Sequence, residues 1–387
     1  MSNYLIDGIA FTDADVRECA NLQYTDLSGN NNKFWRSWFL NNGTECSEWG
    51  RVGKMPAQGH WSSSPSMWRG KVNDKRRKGY SDVATVAVVN TTGVSPAKIK
   101  LGGLLGQFVD WAGVQASQHI KQYLQGDVNN LAPEQIDIGR RILNQLQLLN
   151  RGSYDFVNAL EKYYRAIPTI LPSRIDADQL AKTFDFNEQG DRLNQLEAAV
   201  SITRSASNIA LPFELKEASM PVENAIMDAA RKTGAKYAKV RAVFTVDAPD
   251  KARYDGCSIG NEMNLFHGTK QHAIQHILRQ GLRCASAPVG LMFGAGIYLA
   301  DAWEKSHNYT SGNDGQVIFV CRAKLGKQHL AQDQIKGIRK APAGFDSVFG
   351  KKGYTKAWGS YSQTLVNSEF VVYDPAQVRL AAVVWYR

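Results

Sequence analysis

The alternation of hydrophobic and polar positions divides the chain into stretches of different period. From Lys98 to about Thr203 apolar positions recur every three or four residues: Ile138, Ile142, Leu146 and Leu149 fall on one helical face, and Pro133 stands where a first helical turn tolerates it. Leu104, Phe108 and Trp111 mark a second such face and Leu193, Leu196 and Val200 a third, so the stretch predicts a helical bundle. After SASNIALP (205–212) the period shortens. ENAIMDAARKTG reads as a helix stopped by its glycine; then Ala238, Val240, Ala242, Phe244 and Val246 alternate with mostly polar residues, as a half-buried strand does. NLFHGTKQHAIQHILRQGLR (264–283) reads as a strand followed by a helix with Ile274, Ile277 and Leu278 inward and Gly281 at its end. Further strands are expected at 317–325, 369–374 and 378–386, which makes the C-terminal third an α+β arrangement. TTGVSPAK (91–98), rich in turn formers, reads as a linker.

Composition narrows the function classes. A chain of 387 residues, 43% hydrophobic, can bury two or three cores, so several domains are expected. The formal charge is +10, of which +8 falls in residues 211–387, and Asn31–Tyr80 holds ten basic against three acidic residues. Such a surface favours phosphate-bearing partners. Five cysteines without a C-x-x-C pair indicate neither a disulfide framework nor a zinc module and suit a reducing compartment. The N-terminus lacks a secretory pattern and the apolar run at Val83–Val89 is too short to span a bilayer, so a soluble intracellular protein with no membrane partner is expected.

Three places could carry chemistry. His267, at a strand end before Gly268 and Thr269, could present its ring to a ligand that the glycine lets approach; a satisfied structural histidine explains the same residues. In GAGIYLADAWEKSHNY (294–309) the paired glycines permit a tight bend, Tyr298 and Tyr309 offer flat faces, and Lys305 and Ser306 supply a cation and a hydroxyl. A glycine-rich hairpin with buried tyrosines is the alternative. Glu369 opens an otherwise apolar strand, and needs either a wet end or a buried partner.

His267-Gly268-Thr269, Gly281-Leu282-Arg283, MFGAGIYLAD (292–301), KSHNY (305–309) and SEFVVYDPAQVRL (368–380) stand in the order and spacing of the poly(ADP-ribose) polymerase catalytic domain, which this part of the chain resembles. GFDSVFGKKG (344–353) looks like the acceptor-side loop of that family. NKFWRSWFLNNGTECSEWGRVGK (32–54) is similar to its WGR domain, through Trp49, Gly50 and Arg51, and GDVNNLAPEQIDIGRRIL (126–143) with YYRAIP (163–168) to its helical regulatory domain. The resemblance implies a multidomain α+β chain: a small β-rich WGR domain at 1–90, a linker at 91–96, an all-α helical bundle at 97–208 and an α+β ADP-ribosyltransferase domain at 209–387.

It implies NAD as substrate, no metal, and partners that are damaged DNA ends or nicks and protein acceptors of ADP-ribose, the chain itself included. Glu369 would bond the ribose 2′-hydroxyl and stabilise the charge that develops on the sugar. Gly268 and Ser306 would hold the carboxamide, Tyr309 and Tyr298 would flank the nicotinamide, and His267 would bond the adenosine ribose. Thr269 belongs to the same NAD set, with Arg283 and Lys305 near adenosine or phosphate groups. His267, Tyr298 and Glu369 form the catalytic set, and Trp49, Gly50 and Arg51 the DNA-binding set. Location would be nuclear in a eukaryote, or cytoplasmic and nucleoid-associated in a bacterial or viral setting. Single-unit transfer and a non-catalytic DNA-end adaptor are the alternatives. Lys75-Arg76-Arg77-Lys78 could be an import patch or a surface helix or turn. Departures from the family pattern are Glu304, Leu299 and a short loop from Cys284 to Leu291.

Overall fold

The computed structural model describes residues 3–83, 102–124, 128, 131–204, 212–312, 314–357 and 363–387. The expected linker at 91–96 and the expected boundary at 208/209 lie outside these residues. No described helix is long and apolar enough to cross a membrane.

Two compact units are present: residues 1–98 with 119–209, and residues 99–118 with 210–387. The first begins with strands β1 (Asn3–Ile6), β2 (Ile9–Thr12), β3 (Val16–Asp26), β4 (Asn31–Leu40), β5 (Thr44–Arg51) and β6 (Ala57–Ser62), helix α1 (Pro65–Arg77) and strand β7 (Ser81–Asp82). The larger sheet runs β6-β5-β4-β3-β7, antiparallel throughout. Alternation puts Leu22, Trp35 and Phe39 on the face that Trp68 and Val72 of α1 cover. The basic run at 75–78 is the exposed end of α1, where Arg76 pairs with Asp82 and Lys78 with Asp74. Cations there also suit the negative end of the helix.

Helix α2 (Gly103–Tyr123) leaves the second unit at residue 118 and ends in the first. The first unit continues with α3 (Pro133–Leu146), α4 (Tyr154–Ala166), α5 (Ala177–Thr183) and α6 (Phe186–Arg204). Leu193, Leu196 and Val200 are buried as the periodicity predicts. The face of α3 differs from the expectation. Ile138 is 39% exposed, and the buried stripe is Ile136, Gly139, Leu143 and Leu146. Gly139 decides this: a Cβ there would lie 3.0 Å from Ile167 and 3.1 Å from Leu193, so close packing follows the side without a side chain. Buried polar contacts join sheet and helices. Gln23 donates to the Tyr164 carbonyl (3.2 Å), Asn32 to that of Thr169 (3.1 Å), and Arg165 to that of Thr25 (2.7 Å).

The second unit contains β8 (Glu214–Glu217), α7 (Met220–Lys232), β9 (Val240–Asp247), α8 (Asp250–Asp255), β10 (Glu262–Thr269), α9 (Ile274–Gln280), β11 (Ile297–Leu299), α10 (Trp303–His307), β12 (Gln316–Lys324), β13 (Gln328–Ala331), β14 (Ser347–Gly350), β15 (Lys356–Ala357), β16 (Gln363–Thr364), β17 (Glu369–Val372) and β18 (Val378–Tyr386). One sheet runs β10-β12-β18-β9-β8 and a second β11-β17-β14-β13. A bridge between Phe266 and Ala300 joins their edges. The core gathers Phe244, Val317, Phe319, Val383 and Trp385, together with Phe108 from α2, whose ring lies 5.3 Å from that of Phe244. Leu104, expected on the same face, is 41% exposed. Trp111 and Gln115 of α2 both donate to Asp314 (3.0 and 3.3 Å).

Candidate active site

Strand register assembles the residues that the motifs single out. His267 and Gly268 close β10 opposite Phe319 and Ile318 of β12. One strand across the Phe266–Ala300 bridge, β11 pairs Tyr298 with Val371 and Leu299 with Phe370 of β17. Glu369 is therefore next in line on β17, and β14 sets Gly350 opposite it. Leu299 points into the core, 2% exposed, so its departure from the family pattern does not touch this site. Thr269 ends β10, buried, and Arg283 opens the loop after Gly281, partly buried.

Glu369 is 5% exposed, and it has the buried partner that an acid in an apolar strand needs: Lys305 of α10 forms an ion pair with it. Burial pulls the Lys305 ammonium down, but the hydrogen bond and charge of Glu369 outweigh that, so its pKa is raised and it stays protonated. The structure thus gives Lys305 to the carboxylate. Its Nζ also lies 5.4 Å from the centroid of the Tyr309 ring, which is 56% exposed. An open aromatic face beside a buried ion pair is a stacking surface for a planar ligand.

His267 is partly buried, and its Nδ1 lies 2.9 Å from the Tyr298 carbonyl. Burial lowers its pKa despite that bond, so the ring is neutral. Nδ1–H then donates to the carbonyl and Nε2 is left as an acceptor, suited to a sugar hydroxyl. Tyr298 donates its hydroxyl to the Gly294 carbonyl and accepts from the Phe293 amide, both at 2.9 Å, which fixes its ring. Desolvation raises its pKa, with smaller contributions from nearby Glu369 and Tyr309. Because the unfolded chain takes up a proton below about pH 6.5 that the folded His267 refuses, this group lowers stability as pH falls. The thermal midpoint of the wild type should therefore drop more between about pH 7.5 and about pH 5 than that of His267→Gln.

Two glycines set the spacing. At Gly268 a Cβ would stand 1.7 Å from the Ser306 carbonyl oxygen, so only glycine admits α10 against β10. At Gly296 it would meet Val371 at 2.3 Å, and Gly294, at φ +71°, makes the bend before it. The N-terminal turn of α10 is tied to the end of α7. Thr233 accepts from the Trp303 amide through its hydroxyl and from the Glu304 amide through its carbonyl, each at 3.0 Å. Thr233, Phe293 and Gly350 are parts of the site that sequence reasoning did not single out. Phe293 and Gly350 lay in quoted motifs without being singled out, and nothing in KTG announces a partner seventy residues on.

Cys284 donates its thiol to the Tyr373 carbonyl (3.2 Å), and burial pushes its pKa up to about 11, which leaves no thiolate for nucleophilic chemistry.

In the first unit Trp49 is half-buried and stacks on Trp61, with ring centroids 6.1 Å apart and planes 29° from parallel. Gly59 makes room, since a Cβ there would strike Trp61 at 2.7 Å. Gly50 lies opposite Phe34 on β4. Arg51 donates to the carbonyls of Asn30 (2.9 Å) and Pro172 (3.0 Å) and to the Asn30 side chain (3.0 Å), so much of its fork is used within the unit. A cleft of about 710 Å³ is lined by Trp35, Trp49, Trp61, Lys71, Lys75 and Arg77, among others.

Residues 220–387 match the family described as the poly(ADP-ribose) polymerase catalytic domain. Similar proteins include poly [ADP-ribose] polymerase 1 of Caenorhabditis elegans, 36% identical over 152 residues, 32% of this chain and 16% of that protein. Poly [ADP-ribose] polymerase 2 of Arabidopsis thaliana is 33% identical over 152 residues, 32% of this chain and 24% of that protein. The poly [ADP-ribose] polymerase of Drosophila melanogaster is 26% identical over 309 residues, 65% of this chain and 30% of that protein. The chain thus spans less than a third of the length of each of these relatives. The similarity to poly(ADP-ribose) polymerases is thus carried by residues 220–387, which match the catalytic domain of that family.

Proposed function

We propose that the chain is a DNA-break-stimulated ADP-ribosyltransferase that cleaves NAD and adds ADP-ribose to protein acceptors and growing chains. The observation that carries this reading is the buried Glu369–Lys305 pair, one strand from Tyr298 and across a bridge from His267. Breaking the bond between nicotinamide and ribose builds positive charge on the sugar, as glycoside cleavage does. Glu369 accepts a hydrogen bond from the ribose 2′-hydroxyl and faces that charge, while Lys305 holds the carboxylate in place. The open ring of Tyr309 stacks on nicotinamide, with Tyr298 behind it and the Gly268 backbone and Ser306 hydroxyl at the carboxamide. His267 Nε2 accepts from the adenosine ribose. Thr269, Arg283 and the main chain around them complete the dinucleotide site. No metal takes part in this mechanism.

The expected domain layout, WGR at 1–90, helical at 97–208 and transferase at 209–387, is part of the reading. Support comes from the Drosophila alignment, which reaches beyond the transferase segment to 65% of the chain. In the DNA-binding set of Trp49, Gly50 and Arg51, Trp49 stacks on an exposed sugar or base at a break and Arg51 with neighbouring basic residues holds phosphates, and the helical part restricts NAD access until DNA shifts the population of states. Nicotinamide release with and without nicked duplex tests the whole: stimulation by the nick is expected, and no release under either condition rejects enzyme function. Trp49→Ala should weaken binding to a nicked duplex by about 1 to 3 kcal/mol, read by fluorescence anisotropy, with release in the absence of DNA unchanged.

A further inference from the structure

The proposed dinucleotide site has two walls, β10 with Gly268 and Thr269 and α10 with Ser306 and Tyr309, and a second tie joins them beyond the close contact at Gly268. Gln271 stands two residues past Thr269 and opens the short turn Gln271–Ala273. Its amide donates both to the Asp314 carboxylate (2.8 Å) and to the Gly315 carbonyl (2.6 Å). Gly312, at φ +107°, lets the main chain close on that amide, since a Cβ there would stand 1.9 Å from Gln271 Nε2. Asp314 and Gly312 follow Tyr309 closely in the chain. The Tyr309 amide donates to the Ser306 carbonyl (3.1 Å), and Thr310 donates to the His307 carbonyl through its amide (3.0 Å) and its hydroxyl (2.8 Å), so Tyr309 rides on the last turn of α10.

The far side of Asp314 is held as well. Trp111 and Gln115 of α2, within the same compact unit, donate to its second oxygen (3.0 and 3.3 Å). Gly315 seats the Trp111 ring, because a Cβ there would lie 2.9 Å from that ring and 2.7 Å from Trp385 Nε1. Three side-chain donors thus converge on one carboxylate. Desolvation opposes its charge, but the hydrogen bonds from Gln271 and Trp111 outweigh it, so its pKa is lowered and Asp314 serves as an acceptor only.

We propose that Gln271 and Asp314, braced by Trp111 of α2, are positioning residues of the transferase: they set the gap between the end of β10 and the Tyr309 ring, and so the affinity for the nicotinamide end of NAD. The inference rests on the NAD reading of the site. It gives the first half of α2 a supporting role, opposite in sign to the restraint proposed for the helical part. Holding a planar ring between two walls favours bound substrate and transition state alike, so loss of the tie raises KM and spares turnover. Lys305, anchored on Glu369, does not depend on it.

The test uses the full chain with Gln271→Met, Asp314→Ala, Trp111→Phe and the pair Gln271→Met/Asp314→Ala. Methionine keeps the length of the side chain without its donor, and phenylalanine keeps a ring beside Trp385 without the N–H. KM for NAD should rise about three- to tenfold for Gln271→Met and Asp314→Ala, and less for Trp111→Phe, with turnover of nicotinamide release within about twofold of wild type. The pair should exceed the stronger single variant by no more than about twofold, because both changes cut one contact. The shift should be equal with and without nicked duplex. An unchanged KM overturns the proposal. So do effects that multiply in the pair, or turnover and thermal midpoint falling together, which would reduce the tie to general stability. A gain in release, or a shift confined to the DNA-free protein, would make this part of α2 a restraint and overturns it too. Failure of the NAD reading shows in the wild type itself. If the wild type binds NAD by calorimetry without releasing nicotinamide, the dissociation constants of the variants decide the proposal in place of KM; if it does neither, the proposal falls with the site.

Discussion

Glu369→Gln should lower the turnover of nicotinamide release by roughly 10²- to 10³-fold, about 3 to 4 kcal/mol, while leaving the KM for NAD within about threefold. The amide keeps the shape of the side chain and can still meet the ribose hydroxyl, so binding survives. What disappears, on the proposed function, is the negative charge facing the sugar carbon as the base departs, a term felt only in the transition state. Lys305 then loses its anionic partner at a site where it is 21% exposed, so modest loosening of α10 is expected as well. Steady-state kinetics of nicotinamide release, with a thermal midpoint recorded for both proteins, measure the two effects separately. Activity within tenfold of wild type removes Glu369 from the role given to it.

Gly268→Ala is the second large effect, and it acts through space. The new Cβ would stand 1.7 Å from the Ser306 carbonyl oxygen and 2.6 Å from its carbon, both backbone atoms that no rotamer change can move. Helix α10 would have to retreat by about 1 to 2 Å, a misplacement of the order that can cost about 10²-fold in rate. Lys305 and Ser306 travel with that helix, so KM for NAD should rise and turnover fall together, with a stability loss of about 1 to 3 kcal/mol. Gly260→Ala is the control: the residue is exposed, its new methyl group would have nothing within 4 Å, and stability should change by less than about 0.5 kcal/mol. Equal kinetics for the two variants would mean that the close approach of β10 and α10 has no bearing on NAD.

The C-terminal half was the most legible part of the sequence because its strands are apolar runs or, at 238–246, an alternation, and the helix before Gly281 ends on glycine. The strands expected from Ala238, at 317–325, 369–374 and 378–386 match β9, β12, β17 and β18, and the helix closed by Gly281 is α9. The candidate site was legible through short motifs, most of which fall on adjacent strands or on α10, while Gly281-Leu282-Arg283 lies in the loop after α9. What could not be read is what depends on distant partners. The face of α3 turned on Gly139, which periodicity counts as neutral although it is where Ile167 and Leu193 come closest. The ion pair of Glu369 joins residues sixty-four apart in sequence, and the Thr233 clasp on α10 joins residues seventy apart. The division of α2 escaped for the same reason: a single uninterrupted helix carries no mark of the residue at which its packing partners change.

That division has a practical outcome. Phe108 lies against Phe244 and Trp385, and Trp111 stacks on Trp385 with centroids 5.5 Å apart. A transferase fragment started after the bundle would lack this aromatic plug and leave two large rings of its interior facing solvent. Such a fragment should express as a sticky, heat-labile protein, and loss of turnover in it would report a damaged core instead of a missing regulator. Grafting residues 102–118 back onto it should restore solubility.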